Sequence, residues 1–236
     1  MNKGTPREIV GRRTRPAKAP LSRDVIVSTA LDILERDGLA GLSLRRVATA
    51  LDTGAASLYV YLANLDELHA LMLDAALAAV QLPKARGLPW RNRLKKFLLS
   101  YLQVLYERPG LAQLAMSTIA AGPNSLRIWE GMLVLLTEGG VEDGKAAWGV
   151  DLLILYVTAI AAEQSNWRGQ DQGLGRVKSA LSAVSKDEFP LVFAIKETLL
   201  SGGNNRAEWA LDAIIDGLLG ARKPSASKAR GKGGKE

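Results

Sequence analysis

Thr53, Ser57, Tyr59 and Tyr61 bring four hydroxyls into one short stretch, and Gly54, Ala55 and Ala56 beside them are small. Hydroxyls on one side of a short helix can bond phosphate oxygens or base edges. Small side chains let a backbone approach closely, and methyls suit thymine. The surrounding segment, 43–62, is spaced as two short helices on a tight turn. Ser43 is a good N-cap, because its hydroxyl can accept from exposed first-turn amides. Leu44, Val47, Ala48 and Leu51 follow at i, i+3, i+4 and i+7, which makes one buried face. Asp52, Thr53 and Gly54 break the pattern. Gly54 tolerates helix-ending angles, and Asp52 enters the left-handed region readily. A second helix over 55–62 would turn Leu58 and Leu62 inward. A paired unit of this kind can place its second helix in a DNA major groove. An ordinary helical hairpin shares the periodicity, and the polar side of the second helix is what favours nucleic acid. The candidate DNA surface is Ser43, Arg45, Thr53, Gly54, Ala55, Ser57, Tyr59 and Tyr61, with Tyr59 first.

Charge distribution locates the attraction to DNA elsewhere. The net charge is +7. Residues 1–23 carry Lys3, Arg7, Arg12, Arg13, Arg15, Lys18 and Arg23 against Glu8. Residues 221–236 carry Arg222, Lys223, Lys228, Arg230, Lys232 and Lys235 against Glu236. The body between them is net acidic. Even 24–80 holds only Arg36, Arg45 and Arg46 against eight carboxylates. Phosphate attraction is therefore expected from an N-terminal arm, with Arg12, Arg13 and Arg15 directly before the first helix. A solubilising tail is the alternative. The C-terminal tail is low-complexity and reads as solvated.

The elements that must position these groups read as helices only. The expected division is a disordered basic arm (1–20), a three-helix helix-turn-helix domain (21–81), a helical domain (88–220) and a disordered basic tail (221–236). Ser22 caps a first helix to about Asp37, with Ile26, Ala30, Ile33 and Leu34 inward. Asn64 caps a fourth helix, where Asp66 and Glu67 suit the positive end of the dipole. His69 on that helix has a plain core or surface role. Pro and Gly between 82 and 89 mark the boundary. Helices are then expected over 90–107, 111–121, 125–138, 142–167, 189–200 and 207–219. The segment 169–186 reads as a loop, with a short helical piece at 177–184. The start of the 90–107 helix is basic and exposed at Arg91, Arg93, Lys95 and Lys96.

Several functions are excluded. There is no cysteine and one histidine. A disulfide framework, a thiolate or a histidine zinc cluster is therefore not expected. No nucleophile–base arrangement, phosphate loop or dinucleotide fingerprint is visible, so neither an enzyme nor a cofactor is expected. The apolar run 152–162 is short for a bilayer, and the first residues hold no apolar signal core. The expectation is a cytoplasmic protein with no membrane partner.

Four blocks, in this order and spacing, resemble the DNA-binding domain of the TetR family of bacterial regulators. They are the helix 25–38, then Leu42-Ser43-Leu44-Arg45-Arg46-Val47-Ala48, then Gly54-Ala55-Ala56-Ser57-Leu58-Tyr59, then Asn64-Leu65-Asp66-Glu67-Leu68. The family commonly has Gly at Asp52, His at Tyr61 and Lys at Leu65. Pro109-Gly110-Leu111 and 122–127 resemble a C-terminal domain found in part of that family. The resemblance implies a homodimer on a pseudo-palindromic double-stranded operator, built by a four-helix bundle of two helices and their copies. Those helices are 146–162, apolar nearly all round with small Gly149, Ala159 and Ala162, and 207–219, with Trp209, Ala213, Ile214 and Leu218.

The large side chains of the second domain are Tyr101, Met116, Trp129, Met132, Trp148, Tyr156 and Trp167. Singly, each reads as core. Together they suit an apolar cavity with polar handles, and Tyr101, Met116, Trp129, Met132 and Tyr156 are the candidate lining. The resemblance implies that a small apolar or planar effector binds there and releases DNA, making the chain a repressor. The competing reading is a helical interaction protein whose basic tails bind nucleic acid without sequence preference.

Overall fold

The computed structural model describes residues 20–82, 87–167, 172–203 and 205–221. Arg12, Arg13, Arg15 and the basic C-terminal tail lie outside the described residues, as does the side chain of Trp167. Among the described residues the fold is all-α, with no strand. The head comprises α1 (Arg23–Asp37), a 3-10 turn (Leu39–Gly41), α2 (Leu44–Ala50), α3 (Ala55–Leu58) and α4 (Leu65–Leu77). The remainder comprises α5 (Trp90–Glu107), α6 (Leu111–Ser117), α7 (Pro123–Glu138), α8 (Asp143–Trp167), α9 (Gln172–Ser182), α10 (Pro190–Leu199) and α11 (Asn205–Gly220).

Local chemistry sets the starts. Ser22 Oγ accepts from the Val25 amide, Ser43 Oγ from the Arg46 amide and Asn64 Oδ1 from the Glu67 amide. Each is a short side chain satisfying a first-turn donor that the helix cannot. Glu67 Oε2 also accepts from the Ala63 amide at 2.5 Å, which fixes the residue just before the cap. Pro123 and Pro190 each stand in a helical first turn, where the missing N–H costs nothing.

One apolar core runs through the molecule. Ile26, Leu34, Val47, Leu58, Leu68 and Met72 fill the head. They continue into Leu98, Leu105, Leu111, Met132, Leu153 and Val157 without interruption. The Pro and Gly stretch that marks a boundary in the sequence is thus not a boundary in the packing. Burial of such side chains, at about 25 cal/mol per Å2 of apolar surface, is the main term holding the helices together.

Gly110 joins the two halves. It has φ 79°, and a Cβ there would lie 2.8 Å from Leu34 Cδ1 on α1. Gly110→Ala therefore meets both an unfavourable backbone and a packed neighbour. It should lower stability by about 1–2 kcal/mol or more from the backbone alone, read as a lower urea midpoint.

α8 is the central strut, packed on α5, α6, α7 and α11. The apolar run 152–162 is only part of it. Over 24 residues, Asp143–Asn166 is long and apolar enough to cross a bilayer by length and composition. In this fold Ala146, Val150, Leu153, Val157 and Ala161 are buried among neighbouring helices. This is how the core helix of a helical bundle looks.

The structure departs from expectation at three elements. α3 ends at Leu58 and continues as turns to Leu62. α6 ends at Ser117, and Thr118 is extended (ψ 133°). Residues 172–182 are helical despite Gly173 and Gly175, because the rest of that stretch repeats apolar positions at helical spacing.

Candidate nucleic-acid interface and effector cavity

α2 and α3 meet through Val47, Ala48 and Leu58, all buried. The turn between them depends on Asp52, at φ 50°, the one non-glycine with positive φ among the described residues. Gly54 has an ordinary φ of −79°, and a Cβ there would meet nothing within 4 Å. The turn therefore needs the left-handed residue at 52, and the openness at 54 serves the surface instead.

Ser43, Thr53, Ala55, Ser57 and Tyr61 are half-buried, while Arg45 and Gly54 are exposed. Tyr59 is 59% exposed and Val60 80%. All lie on α2, α3 and the turns joining and following them. Ser43 is occupied as a cap. Tyr61 packs against the core, and its carbonyl accepts from Arg23 Nε at 2.8 Å. Arg23 Nη2 reaches Glu67 at 3.3 Å, so α1 and α4 together hold the end of the α3 segment. Val60, between the two tyrosines, is not among the residues singled out from the sequence, and its side chain is exposed on the same surface.

Besides Arg23, the three arginines of the head differ. Arg46 Nη2 lies 2.6 Å from Asp37, and Arg36 Nη2 lies 2.9 Å from the same carboxylate. The Arg36 hydrogen bond is the main reason that Asp37 titrates below its usual range. Among the described residues no carboxylate pairs with Arg45. Three of the four cations at the basic start of α5 are paired with carboxylates. Arg91 meets Asp216 at 2.6 Å and Lys95 meets Asp212 at 2.9 Å, both on α11, while Arg93 meets Glu138.

Tyr59→Phe removes a hydroxyl from an exposed ring and nothing from the core. It should cost operator binding on the order of 1 kcal/mol, with an unchanged melting temperature. Equal affinities in a filter-binding titration would show that the hydroxyl makes no contact.

A cavity of about 630 Å3 opens in the second half. Its walls come from α4 (Leu73, Leu77), α5 (Tyr101), the α6 end and following segment (116–120), α7 (Ser125, Ile128, Trp129) and a stripe of α8 from Ala147 to Thr158. Of the expected lining, Tyr101, Met116 and Trp129 are present and Met132 and Tyr156 are not. Met132 is 1% exposed and turned into the core. Tyr156 is on α8 but off the stripe 147, 150, 151, 154, 155 and 158 that faces the cavity. Burial pushes the Tyr101 phenol up despite the Thr158 hydroxyl at 3.3 Å. Tyr101 thus stays a neutral donor or acceptor at physiological pH. Asp151 is the one charged side chain among the lining residues.

Asp74 on α4 is buried beside this cavity, a position no sequence pattern indicated. Burial pushes its carboxyl up, but bonds from Ser125 and Asn124 outweigh this and hold it below the usual 3.8. A depressed carboxylate stabilises the fold above its unfolded pKa, and the contribution is lost as pH falls through the folded value. Stability should therefore drop as pH falls below about 4, and Asp74→Asn should shrink that drop in urea titrations.

Comparison with known proteins agrees with this anatomy. Residues 82–221 match the family described as tetracyclin repressor-like, C-terminal domain. An HTH-type transcriptional regulator of Saccharopolyspora erythraea is 34% identical over 160 residues, 68% of this chain and 66% of that protein. The HTH-type transcriptional repressor DrrR1 of Streptomyces coeruleorubidus is 28% identical over 219 residues, 88% of this chain and 81% of that one. The crystal structure of the Streptomyces coelicolor TetR family protein ActR in complex with actinorhodin superposes with a TM-score of 0.78. It is 37% identical and covers 85% of this chain and 96% of that chain. With a helix-turn-helix head on an all-helical second domain, this chain belongs to the TetR family of transcriptional regulators.

Proposed function

We propose that the protein is a cytoplasmic homodimeric repressor that leaves a pseudo-palindromic operator when a small, largely apolar effector enters the cavity. The observation that carries this is the shared wall. Leu73 and Leu77 belong at once to the cavity and to α4, the last helix of the head. A ligand that prefers one placement of α4 changes the spacing of two heads, and differential affinity is all that release requires. The related ActR has been crystallised with actinorhodin, which supports a small-molecule effector here.

The reading surface is Arg45, Thr53, Gly54, Ala55, Ser57, Tyr59 and Tyr61, with Ser43 as the cap that sets α2. Arg12, Arg13 and Arg15 supply the arm. Dimer contacts come from the outward stripes of α8 and α11. Trp148 is 65% exposed and Trp209 is 72% exposed in the single chain. Leu152, Ala213 and Gly217 continue those stripes. Two residues first read as interface meet within one protomer instead. A Cβ on Gly149 would lie 2.9 Å from Leu218 Cδ1, so these residues seat α11 on α8.

The test is operator affinity, on the sequence recovered by selection, across a panel of planar polycyclic compounds. A compound that raises the melting temperature and weakens operator binding supports the reading. Compounds that bind yet leave DNA affinity unchanged would remove the sensor role.

A further inference from the structure

Two helices cap each other across the boundary between head and cavity. Asp74, on α4, is 6% exposed. Its Oδ1 accepts from the amide and the hydroxyl of Ser125, both at 2.8 Å. Its Oδ2 accepts from the Asn124 amide at 3.4 Å and from Asn124 Nδ2 at 3.2 Å. These donors form the first turn of α7, whose own N-cap residue is Gly122 and offers no side-chain acceptor. The carboxylate of one helix thus does the capping work of another and sits at the positive end of its dipole. Space is kept for it, since a Cβ on Gly122 would lie 2.3 Å from Asp74 Cγ.

The reverse contact runs from α7 to α4. Arg127 Nη2 donates to the carbonyls of Leu77 and Ala78 at 3.3 Å and of Val80 at 3.4 Å. Those carbonyls lie at and just beyond the end of α4, where helical amide donors run out, although that of Leu77 also accepts from the Val80 amide at 3.1 Å. Polar bonds made away from water are directional and costly to leave unmade, so the pair holds one geometry. Ser125 also lines the cavity, as does the segment 118–120 that leads into it. On α4, Leu73 and Leu77 of the cavity wall flank Asp74.

We propose that Asp74 is the positioning residue that ties cavity occupancy to the placement of the reading head, acting through its cap on Ser125 and Asn124. This rests on the reading that an effector in this cavity controls DNA binding. A ligand pressing on 118–125 shifts the donors that hold Asp74, and α4 follows its carboxylate. A hydrophobic contact alone would let the two helices slide. The capped carboxylate does not.

The test uses an artificial occupant, because the chain has no cysteine to compete. Thr118→Cys in the full-length protein is alkylated with N-phenylmaleimide, which puts a planar ring at the cavity wall. Operator affinity is measured with and without the label, once with Asp74 and once with Asp74→Asn. Labelling should weaken binding about tenfold or more with Asp74 present and less than about twofold with Asp74→Asn. The same ratio in both backgrounds overturns the role of Asp74, since a merely structural residue shifts both affinities together. No effect of the label with Asp74 in place overturns the cavity reading itself. Should Asp74→Asn fail to fold by circular dichroism, Ser125→Ala removes one 2.8 Å bond and serves the same comparison. A reduced ratio supports the proposal, and an unreduced one overturns it.

Discussion

Deleting residues 1–19 is expected to weaken operator binding about a hundredfold at physiological salt and to flatten its salt dependence. The reason is the poverty of cations in the head. Arg36 and Arg46 share Asp37, which leaves Arg45 as the arginine of 24–80 with no carboxylate partner among the described residues. The arm carries Lys3, Arg7, Arg12, Arg13, Arg15 and Lys18 against Glu8. If two cations of each arm meet phosphate, a dimer loses about four counterion-releasing contacts, and the log–log salt slope falls by about 3.6. The head would keep its preference for sequence if the proposed base contacts come from α3 and the turns beside it. Fluorescence anisotropy at several salt concentrations reads both quantities. An unchanged slope would mean that the arm is only a solvated tail.

The second large effect is expected from Trp209→Glu. Leu211, Ile215 and Leu218 turn one face of α11 into the core, while Trp209 is left 72% exposed. Arg91 and Lys95 pin α11 from α5 through Asp212 and Asp216, so the outward stripe is held in place before any partner arrives. A carboxylate on that stripe would be buried unpaired in a dimer, at a cost of several kcal/mol. The chain should become monomeric at micromolar concentration by light scattering. Operator affinity should fall by about 10²–10⁴, because the second head no longer binds at high effective concentration. The melting temperature of the monomer should change little. A dimer of unchanged mass would place the interface elsewhere.

Much of this was legible in the sequence wherever the signal is local. Ser22, Ser43 and Asn64 announce helix starts, because capping needs only a short acceptor and an amide three residues on. Asp52 was readable as a left-handed residue for the same reason. Gly54 tolerates helix-ending angles but does not use that freedom, since composition cannot say which residue of Asp-Thr-Gly takes the positive φ. The cavity was half legible. Large side chains on helices are common to core and cavity, and the choice between Trp129 and Met132 is made by helix rotation in the bundle. The basic start of α5 reads as free, because its acids are distant in sequence: those of Arg91 and Lys95 lie more than 100 residues away on α11, and that of Arg93 lies 45 residues away on α7. Asp74 shows the limit most clearly. Its partners are about 50 residues distant, and within α4 it is simply one acid among leucines and alanines.

The most direct test of the central claim, a dimeric sequence-specific regulator, is selection of bound fragments from a random DNA pool by the purified full-length protein, followed by sequencing. The account predicts a pseudo-palindrome whose half-sites are centred about one helical turn apart, roughly 10 base pairs. A pool that binds with steep salt dependence but enriches no motif would contradict it, and would assign the DNA affinity to the charged tails alone.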